Sequence, residues 1–396
     1  MPKYSDHLGF YLYDNQPFLM REDALNIMLS KKDYAGTIQF YYNDHIFSKL
    51  NWQKDIPLSL SQLYKMRAQQ LRDKYKYLIL RYSGGSDSTQ VLESFLSNGI
   101  FLDEIITVNH QKAINNLDRN MMVNDSNLSE YLEYEYAVIP KLNRVKSLSP
   151  NTKITVLDSS DNLVDQLANK KYFHLGQNET PTAMRTVATS MSKNWTPMLL
   201  RHEQETTTRD GVAIIRGIEK PSIHIKEDSS VWFCFHDITL TATVDMQKKG
   251  TSYTIEDFYW SPDFPIIPMK QCHVIIDKLA NNKKLYSEWK TLKTSIEMAH
   301  TDPKYKGSTG YILDRWYNTI IYPDWSPTTY VAPKPTTVNS DFKLLDTLGI
   351  KHHSQHFANE YASYKLSKYD KIENKKLLNK HISSIPYYLG KFQPNF

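Results

Sequence analysis

The chain has 396 residues, enough for two or three domains at about 150 residues each. Its 48 basic side chains nearly balance 43 acidic ones, so the net charge of +5 does not indicate a nucleic-acid-binding protein. Only Cys234 and Cys272 are present, which excludes a disulfide framework and favours a reducing compartment. We find no signal peptide and no apolar run of about 20 residues, so we expect a soluble, cytoplasmic protein without a membrane partner.

Residues 1–55 contain short apolar groups separated by polar breaks, a pattern typical of short strands or hairpins. This pattern predicts a small N-terminal appendage. Apolar residues at helical spacing follow from Leu60 to Leu71, with Ser59 or Ser61 as the expected cap. A helix therefore leads into the middle of the chain.

Strand and helix patterns alternate within residues 56–225. The predicted strands are, in chain order, YLILRY, DEIITVNH, TKITVLDSS and GVAIIRGIEKP. Helical patterns separate the first three, and the second of these helices is expected to end at about Pro140. The alternation predicts an α/β domain with a doubly wound parallel sheet of the Rossmann-like class. Because ligands bind beyond the carboxyl ends of such strands, we expect the four polar strand ends to surround one crevice.

The turn after the first of these strands reads SGGSDS, over residues 83–88. Two glycines remove side-chain bulk, so several backbone N–H groups can point at one anion, and the helix that follows adds its positive end. The turn therefore predicts a phosphate site, to which hydroxyl donors are added by Ser83, Ser86, Ser88 and Thr89. Asp87 would repel phosphate unless a cation lay between them, so it predicts Mg²⁺. The alternative is an ordinary capped helix start, with Asp87 favoured by the helix dipole.

The heptapeptide SGGSDST, residues 83–89, resembles the PP-loop, the SGGxDS signature of the N-type ATP pyrophosphatases. The resemblance covers residues 56–225 and is closest to asparagine-synthetase-type domains, including stand-alone relatives of the phage type. It implies an adenine nucleotide alpha hydrolase-like fold that uses ATP and Mg²⁺. It also implies attack of an acceptor oxygen on the α-phosphorus, release of pyrophosphate, and displacement of AMP by ammonia or an amine.

The same resemblance assigns roles to residues at three strand ends. The implied nucleotide contacts come from Ser83, Gly84, Gly85, Ser86, Asp87, Ser88, Thr89, Val108, Asn109 and Gly217. Asp87 and Glu219 would hold Mg²⁺, and Asp87 and Lys220 would act in catalysis. Arg216 would contact a phosphate in bidentate fashion. The segment RGIEKPS is poorer in glycine than the asparagine-synthetase pattern, so a solvated Glu-Lys turn before Pro221 stays an alternative.

Missing residues distinguish the branches of this family. No cysteine stands at position 2, so the chain cannot build the glutaminase of full asparagine synthetases, and ammonia would come from a separate subunit. No CxxC motif is present, which disfavours sulfur transfer and a zinc ribbon. The segment 170–211 would shape the acceptor side of the crevice. Its candidates for holding an anionic substrate, each with helix-surface charge as the alternative, are Arg185, Lys193, Asn194 and Arg209.

Residues 226–396 form a third region, which we expect to be mixed α+β and to lie on the substrate or partner side. The aromatic and proline-rich stretch at 256–268 would wall a pocket or pack between lobes. The lysine-rich C-terminal end would contact nucleic acid or form a solvated helix and tail, and the second explanation is simpler. Three functions stay open: an AMP-forming synthetase acting on a small molecule, an enzyme that modifies a nucleobase or tRNA, and an inactive nucleotide-binding regulatory subunit.

Overall fold

The structure is a computed structural model. It describes residues 8–19, 21–109, 111–115, 117–125, 128–158, 160, 211–237, 253–301, 316–325, 346–349, 368–374, 376–379 and 381–396. The strands are β1 (Phe10–Tyr13), β2 (Gln16–Phe18), β3 (Gln39–Tyr41), β4 (Tyr77–Arg81), β5 (Glu104–Asn109), β6 (Lys153–Asp158), β7 (Val212–Arg216), β8 (His224–Ile225), β9 (Ser230–Phe233), β10 (Thr254–Asp257) and β11 (Tyr387–Lys391). The helices are α1 (Arg21–Ser30), α2 (Asp44–Phe47), α3 (Leu60–Lys74), α4 (Ser86–Leu96), α5 (Gln111–Ile114), α6 (Arg119–Asn124), α7 (Ile139–Leu148), α8 (Ile266–Ala280), α9 (Lys283–Thr301) and α10 (Lys376–Asn379).

Five of the described strands form one parallel sheet in the order β10-β7-β4-β5-β6. The four predicted strands are all members of it, and helices flank it, so the predicted α/β fold with a parallel sheet is confirmed and is consistent with the Rossmann-like class. The doubly wound arrangement stays a prediction, because residues 161–210, between β6 and β7, lie outside the described residues.

Both faces of β4 are buried, which explains its continuous apolar sequence. Successive side chains of a strand point to opposite faces. Leu78 and Leu80 accordingly pack into the larger hydrophobic core, with Ile105 of β5. Ile79 faces the other way and packs with Ile106 of β5 in a smaller core. A strand with polar residues at every second position would have placed polar side chains in one of these two cores.

The strand order reverses beside β4. From β4 the sheet grows outward through β5 to β6, and β7 then pairs with the opposite edge of β4. The connections that leave β4 and β7 therefore diverge at the carboxyl edge of the sheet. This is the place at which open α/β sheets bind ligands.

The helix before β4 begins where the sequence predicts. Ser59 is the N-cap of α3, and its hydroxyl accepts a hydrogen bond from the Gln62 backbone N–H over 3.2 Å. The Gln62 side chain in turn accepts from the Ser59 backbone N–H over 2.8 Å. This reciprocal capping box satisfies two N–H groups that the helix itself cannot bond.

The expectation that a helix ends at Pro140 is wrong. A 3₁₀ turn (Ser129–Leu132) and a π-helical turn (Tyr134–Val138) precede α7, and Pro140 lies in the first turn of α7. Proline is tolerated there because its position does not need an N–H donor and its fixed φ suits a helix. The α-helix thus begins, and does not end, next to Pro140.

The fifth strand of the sheet, β10, was not predicted. It comes from residues beyond 225, the expected end of the α/β domain. Its sequence, TIED, is short and half acidic, so it lacks the apolar run of a buried strand. Glu256 and Asp257 are nevertheless buried, because basic side chains pair with both. Tertiary ion pairs thus permit a strand that local propensity disfavours.

The N-terminal and C-terminal regions pack against each other. The predicted short N-terminal strands are present as an antiparallel sheet in the order β2-β1-β3, and β8, β9 and β11 form a second antiparallel sheet. Aromatic rings join the two regions: Phe47 lies 4.4 Å from Phe235 and Trp52 stacks 4.7 Å from Tyr387, measured between ring centroids. The two ends of the chain therefore share one hydrophobic core.

Cys234 and Cys272 are free thiols, half-buried and buried respectively. Burial raises the pKa of both thiols, so neither is activated as a nucleophile by its surroundings.

Among the helices that the structure describes, none has the length and apolar character needed to cross a membrane.

Candidate functional site

The turn after β4 requires glycine at position 84. Gly84 has a φ of +85°, a backbone conformation that other residues rarely adopt. A Cβ atom built there would lie 2.6 Å from Cγ2 of Val138, in the π-helical turn. Any larger residue would therefore strain the backbone and push this turn away from the loop.

Hydroxyl groups tie the turn to the start of α4. Ser88 Oγ donates to the Gly85 carbonyl over 3.2 Å and accepts from the Ser83 backbone N–H over 3.2 Å. Thr89 is buried, and its hydroxyl donates to the Gly84 carbonyl over 3.4 Å. Ser88 and Thr89 thus hold the turn from within, whereas Ser83 is exposed.

The N-terminus of α4 is formed by the backbone alone. Gly85 is the N-cap residue, with an extended backbone and no side-chain hydrogen bond to the helix. Ser86, the first helical residue, is half-buried. The backbone N–H groups of a first turn and the positive end of the helix dipole stabilise an anion at such a position. The arrangement predicted for SGGSDS, a glycine turn between strand and helix, is therefore present.

Asp87 joins three distant parts of the chain. Its Oδ1 atom accepts a hydrogen bond from the Lys220 ammonium over 2.6 Å and another from the Tyr322 hydroxyl over 2.6 Å. Its backbone carbonyl accepts from the Tyr259 hydroxyl over 2.8 Å. The Asp87 side chain is 28% exposed, whereas that of Lys220 is 7% exposed. The carboxylate is thus partly exposed and is held by buried groups.

Both tyrosines beside Asp87 are buried phenols. Burial, followed by the negative charge of Asp87, raises the pKa of Tyr322 well above its ordinary value. Burial raises the pKa of Tyr259 in the same way. Their rings stack with centroids 5.3 Å apart. Tyr322 therefore keeps its proton at all working pH values and acts toward the carboxylate as a donor.

Gly217, directly after β7, lies against the start of α4. A Cβ atom at Gly217 would lie 2.9 Å from the carbonyl carbon and oxygen of Asp87 and 3.0 Å from the Ser88 nitrogen. These are backbone atoms, which cannot turn aside as a flexible side chain would. Glycine therefore allows the end of β7 to touch the turn after β4, and the two loops form one surface.

The other two residues singled out after β7 have different surroundings. Arg216 is buried in an ion pair with Asp257, its Nη2 lying 2.7 Å from Oδ1, so the guanidinium that was expected to contact a phosphate pairs instead with a carboxylate of β10. Burial lowers the pKa of its guanidinium, and Asp257 opposes that effect. Glu219 is half-buried, and its carboxylate accepts from the Lys220 backbone N–H over 3.1 Å.

The ends of β5 and β6 lie side by side and cap the next helix. Asn109 is buried, and its side-chain oxygen accepts from the Gln111 backbone N–H over 3.3 Å. Asp158 accepts from the backbone N–H of Lys112 over 3.0 Å and from that of Ser160 over 2.9 Å. Burial raises the pKa of Asp158, but these hydrogen bonds outweigh burial and leave the pKa below its ordinary value.

The structure brings most of the predicted site residues together. The loop of residues 83–89 and the loop of residues 217–220 touch through Gly217 and through the Asp87–Lys220 pair. Val108 and Asn109 lie one strand away, at the end of β5. Four predicted acceptor-side residues lie outside the described part of the chain: Arg185, Lys193, Asn194 and Arg209.

Sequence reasoning missed Tyr259 and Tyr322 as members of the site. Tyr259 lies in the aromatic and proline-rich stretch that was noted only as a pocket wall or packing element. Tyr322 belongs to the segment of residues 316–325, which reads WYNTIIYPDW and contains no recognised motif. The excess of tyrosine, at 27 residues, was the one available signal, because a tyrosine combines an apolar ring with a polar tip.

The donor set at this edge fits Mg²⁺. Mg²⁺ is usually held by one or two carboxylates together with phosphate oxygens and waters. Asp87 is partly exposed beside the turn of residues 83–88, and Glu219 lies on the neighbouring loop, so these two carboxylates are the candidates. Within the described residues, no cluster of three or more acidic, histidine or cysteine side chains could hold a metal ion by itself. The ion would therefore depend on a phosphate ligand.

The carboxyl edge of β4 and β7 thus combines a helix N-terminus, a buried lysine and a partly exposed carboxylate. These groups suit an anion that carries a metal ion. They come from two segments, residues 83–88 and 217–220, and Tyr322 adds a contact from a third; the three segments are far apart in the sequence and meet only in the folded chain. No protein-family model matches this chain, and no curated protein sequence matches it.

Proposed function

We propose that this chain is an ATP-dependent synthetase that forms AMP and pyrophosphate, adenylating an acceptor oxygen for displacement by ammonia or an amine. One observation carries the proposal: the turn of residues 83–88, Asp87 and Lys220 meet at the carboxyl edge between β4 and β7, where the strand order reverses. Nucleotides bind to parallel sheets at this position. The resemblance of SGGSDST to the PP-loop accounts for the residue types found there.

In this proposal each group has a separate task. Backbone N–H groups at the start of α4 would bind the pyrophosphate part of ATP and stabilise it as the leaving group. The Lys220 ammonium, already beside the turn, would offset the negative charge that develops on the same phosphates. Asp87 and Glu219 would hold Mg²⁺, which supplies further charge neutralisation at phosphate oxygens. Because the leaving pyrophosphate is held, attack would be directed to the α-phosphorus.

The acceptor and the nitrogen donor belong to the same proposal. The acceptor would be a small molecule or a nucleobase, and ammonia would reach the site from a separate subunit. Tyr259 and Tyr322 come from residues beyond 225 and touch Asp87, which supports a role of the C-terminal region on the substrate or partner side. No nucleic acid is required for this chemistry.

The product of ATP cleavage tests the proposal. The protein would be incubated with α-labelled ATP, Mg²⁺, ammonium and pools of carboxylic acids, nucleosides or tRNA, and the nucleotides separated. We expect acceptor-dependent AMP and pyrophosphate without ADP. Asp87→Asn keeps the shape of the side chain but removes a charge, so turnover by the folded protein should fall on the order of 100-fold.

Asp55→Asn is the matched control. Asp55 is an exposed carboxylate that pairs with Lys270 over 2.8 Å, away from the turn, and its substitution should leave turnover unchanged. Acceptor-dependent ADP without AMP contradicts the proposal, as does an Asp87→Asn variant as active as the wild type. Activity confined to the nucleoside or tRNA pool would identify the acceptor as a nucleobase.

A further inference from the structure

Tyr322 is the contact of Asp87 that the resemblance does not account for. It lies 235 positions beyond Asp87 in the sequence, and its hydroxyl donates to the same Oδ1 atom as Lys220. The Lys220 ammonium also lies 5.9 Å from the centroid of the Tyr322 ring. The hydroxyl of Tyr322 therefore contacts the carboxylate of the candidate site, and its buried ring faces the lysine.

The segment that carries Tyr322 is fixed to α4 by a pair of reciprocal hydrogen bonds. The Gln90 side-chain amide donates to Asp324 Oδ2 over 2.9 Å, and Gln90 Oε1 accepts from the Asp324 backbone N–H over 3.0 Å. Gln90 is fully buried and lies on the same helix as Asp87, one turn further along. Gln90 of α4 thus helps to hold Tyr322 beside Asp87 of the same helix.

Two further contacts hold the segment to other helices. The Tyr64 hydroxyl of α3 donates to the Ile321 carbonyl over 2.7 Å. The Trp289 indole of α9 donates to the Tyr317 hydroxyl over 2.9 Å. All of these groups are buried. The segment of residues 316–325 is therefore part of the rigid frame around the turn of residues 83–88.

We infer that Tyr322 is a positioning residue for Asp87, and that the segment of residues 316–325 completes the metal-nucleotide site of this chain. The inference rests on the proposed function. A hydroxyl that donates to one carboxylate oxygen fixes the rotation of the carboxylate and leaves its charge in place. Groups that orient a metal-binding carboxylate in this way typically change metal affinity 10- to 100-fold when removed.

Equilibrium binding of α,β-methylene-ATP, which cannot be cleaved between its α and β phosphates, tests the inference without turnover. The wild type, Tyr322→Phe and Tyr13→Phe would each be titrated at a series of Mg²⁺ concentrations and in EDTA. We expect Tyr322→Phe to need about tenfold more Mg²⁺ for half-maximal binding. Its affinity in EDTA should equal that of the wild type, because the backbone turn is unchanged.

Tyr13→Phe is the matched control, since it removes the hydroxyl of another buried tyrosine that donates to a carboxylate, that of Asp33 over 2.8 Å, and lies outside the segment of residues 316–325. It should bind as the wild type does. A Tyr322→Phe variant with the Mg²⁺ requirement of the wild type overturns the inference and leaves the proposed function intact. A wild type that binds no nucleotide, with or without Mg²⁺, contradicts the proposed function and the inference together.

Gln90→Met provides a second variant if Tyr322→Phe does not fold. It removes both hydrogen bonds to Asp324 at nearly constant side-chain volume, so the segment should loosen while the tyrosine stays intact. The Mg²⁺ requirement should rise in the same direction as expected for Tyr322→Phe. An unchanged requirement in Gln90→Met would also overturn the inference.

Discussion

Asp87 and Glu256 are carboxylates with similar partners and different surroundings. Asp87 meets a lysine and a tyrosine, and Glu256 meets Arg67, Lys74 and Tyr75. The Glu256 side chain is 5% exposed, and both of its oxygens bond to these groups inside the protein, whereas Asp87 is 28% exposed at the carboxyl edge of the sheet. The two carboxylates therefore differ in their position in the fold and not in the kind of partner. Glu256 holds helix α3 to the sheet, whereas Asp87 is open to a ligand.

Removing the charge of Glu256 should give the largest loss of stability. Glu256→Gln leaves the guanidinium of Arg67, which is fully buried, without its carboxylate. Breaking a buried pair in this way typically lowers the free energy of unfolding by about 3–5 kcal/mol. Urea unfolding at pH 7 measures the loss, and nucleotide affinity of the folded variant should stay unchanged.

Asp263→Asn is the control for this comparison. Asp263 pairs with the same Lys74, over 2.5 Å, but its side chain is 47% exposed. Exposed pairs contribute about 1 kcal/mol or less. Equal losses in Glu256→Gln and Asp263→Asn would show that burial does not distinguish the two carboxylates, and the comparison would fail.

Acid should remove the contribution of Glu256 without any substitution. Burial raises the pKa of Glu256, but Arg67, Tyr75 and Lys74 outweigh burial and lower the pKa from 4.5 to about 2. The stabilisation is therefore fully present above pH 4.5 and is lost as the pH falls toward 2. At about 1.4 kcal/mol for each pKa unit, the loss is on the order of 3 kcal/mol.

The acid effect is measured as a difference between two proteins. Wild type and Glu256→Gln would be unfolded by urea from pH 7 to pH 2, and the gap between their free energies of unfolding should close below pH 4.5. A gap that is constant over this range would mean that Glu256 does not titrate with a lowered pKa.

Substitution of Gly217 should affect stability and ligand binding together. Gly217→Ala places a methyl group 2.9 Å from the Asp87 carbonyl, so the end of β7 or the start of α4 must move. Overpacking of this kind lowers the free energy of unfolding by about 1–3 kcal/mol. Nucleotide affinity should fall as well, because the displaced backbone belongs to the turn of residues 83–88, the proposed phosphate site.

Gly85→Ser separates the two effects. Gly85 has an ordinary negative φ, a Cβ there would meet only Ser83 Oγ at 3.4 Å, and serine is a favoured N-cap residue. Stability should change by less than about 0.5 kcal/mol, while the added side chain hinders a phosphate. Thermal unfolding with and without Mg²⁺-ATP measures both quantities. A Gly217→Ala variant as stable as Gly85→Ser would contradict the close contact between the two loops.

The central sheet was largely predictable, and its exceptions have physical causes. The strands β4 and β7 are buried on both faces, so their sequences YLILR and VAIIR are unbroken apolar runs. The strand β10 escaped prediction because buried ion pairs replace part of the apolar signal. The helix beyond Pro140 escaped because proline ends a helix only when it lies past the first turn.

The sequence by itself determined the turn of residues 83–88, since strand, glycine pair and helix start are neighbours in the chain and need no distant contact to be recognised. It also indicated that Lys220 lies at the same edge, because the carboxyl ends of parallel strands must meet. Only the tertiary structure decided which groups hold Asp87. Tyr259 and Tyr322 follow it by 172 and 235 positions, and such contacts depend on how helices and sheet pack, which no local pattern of residues encodes.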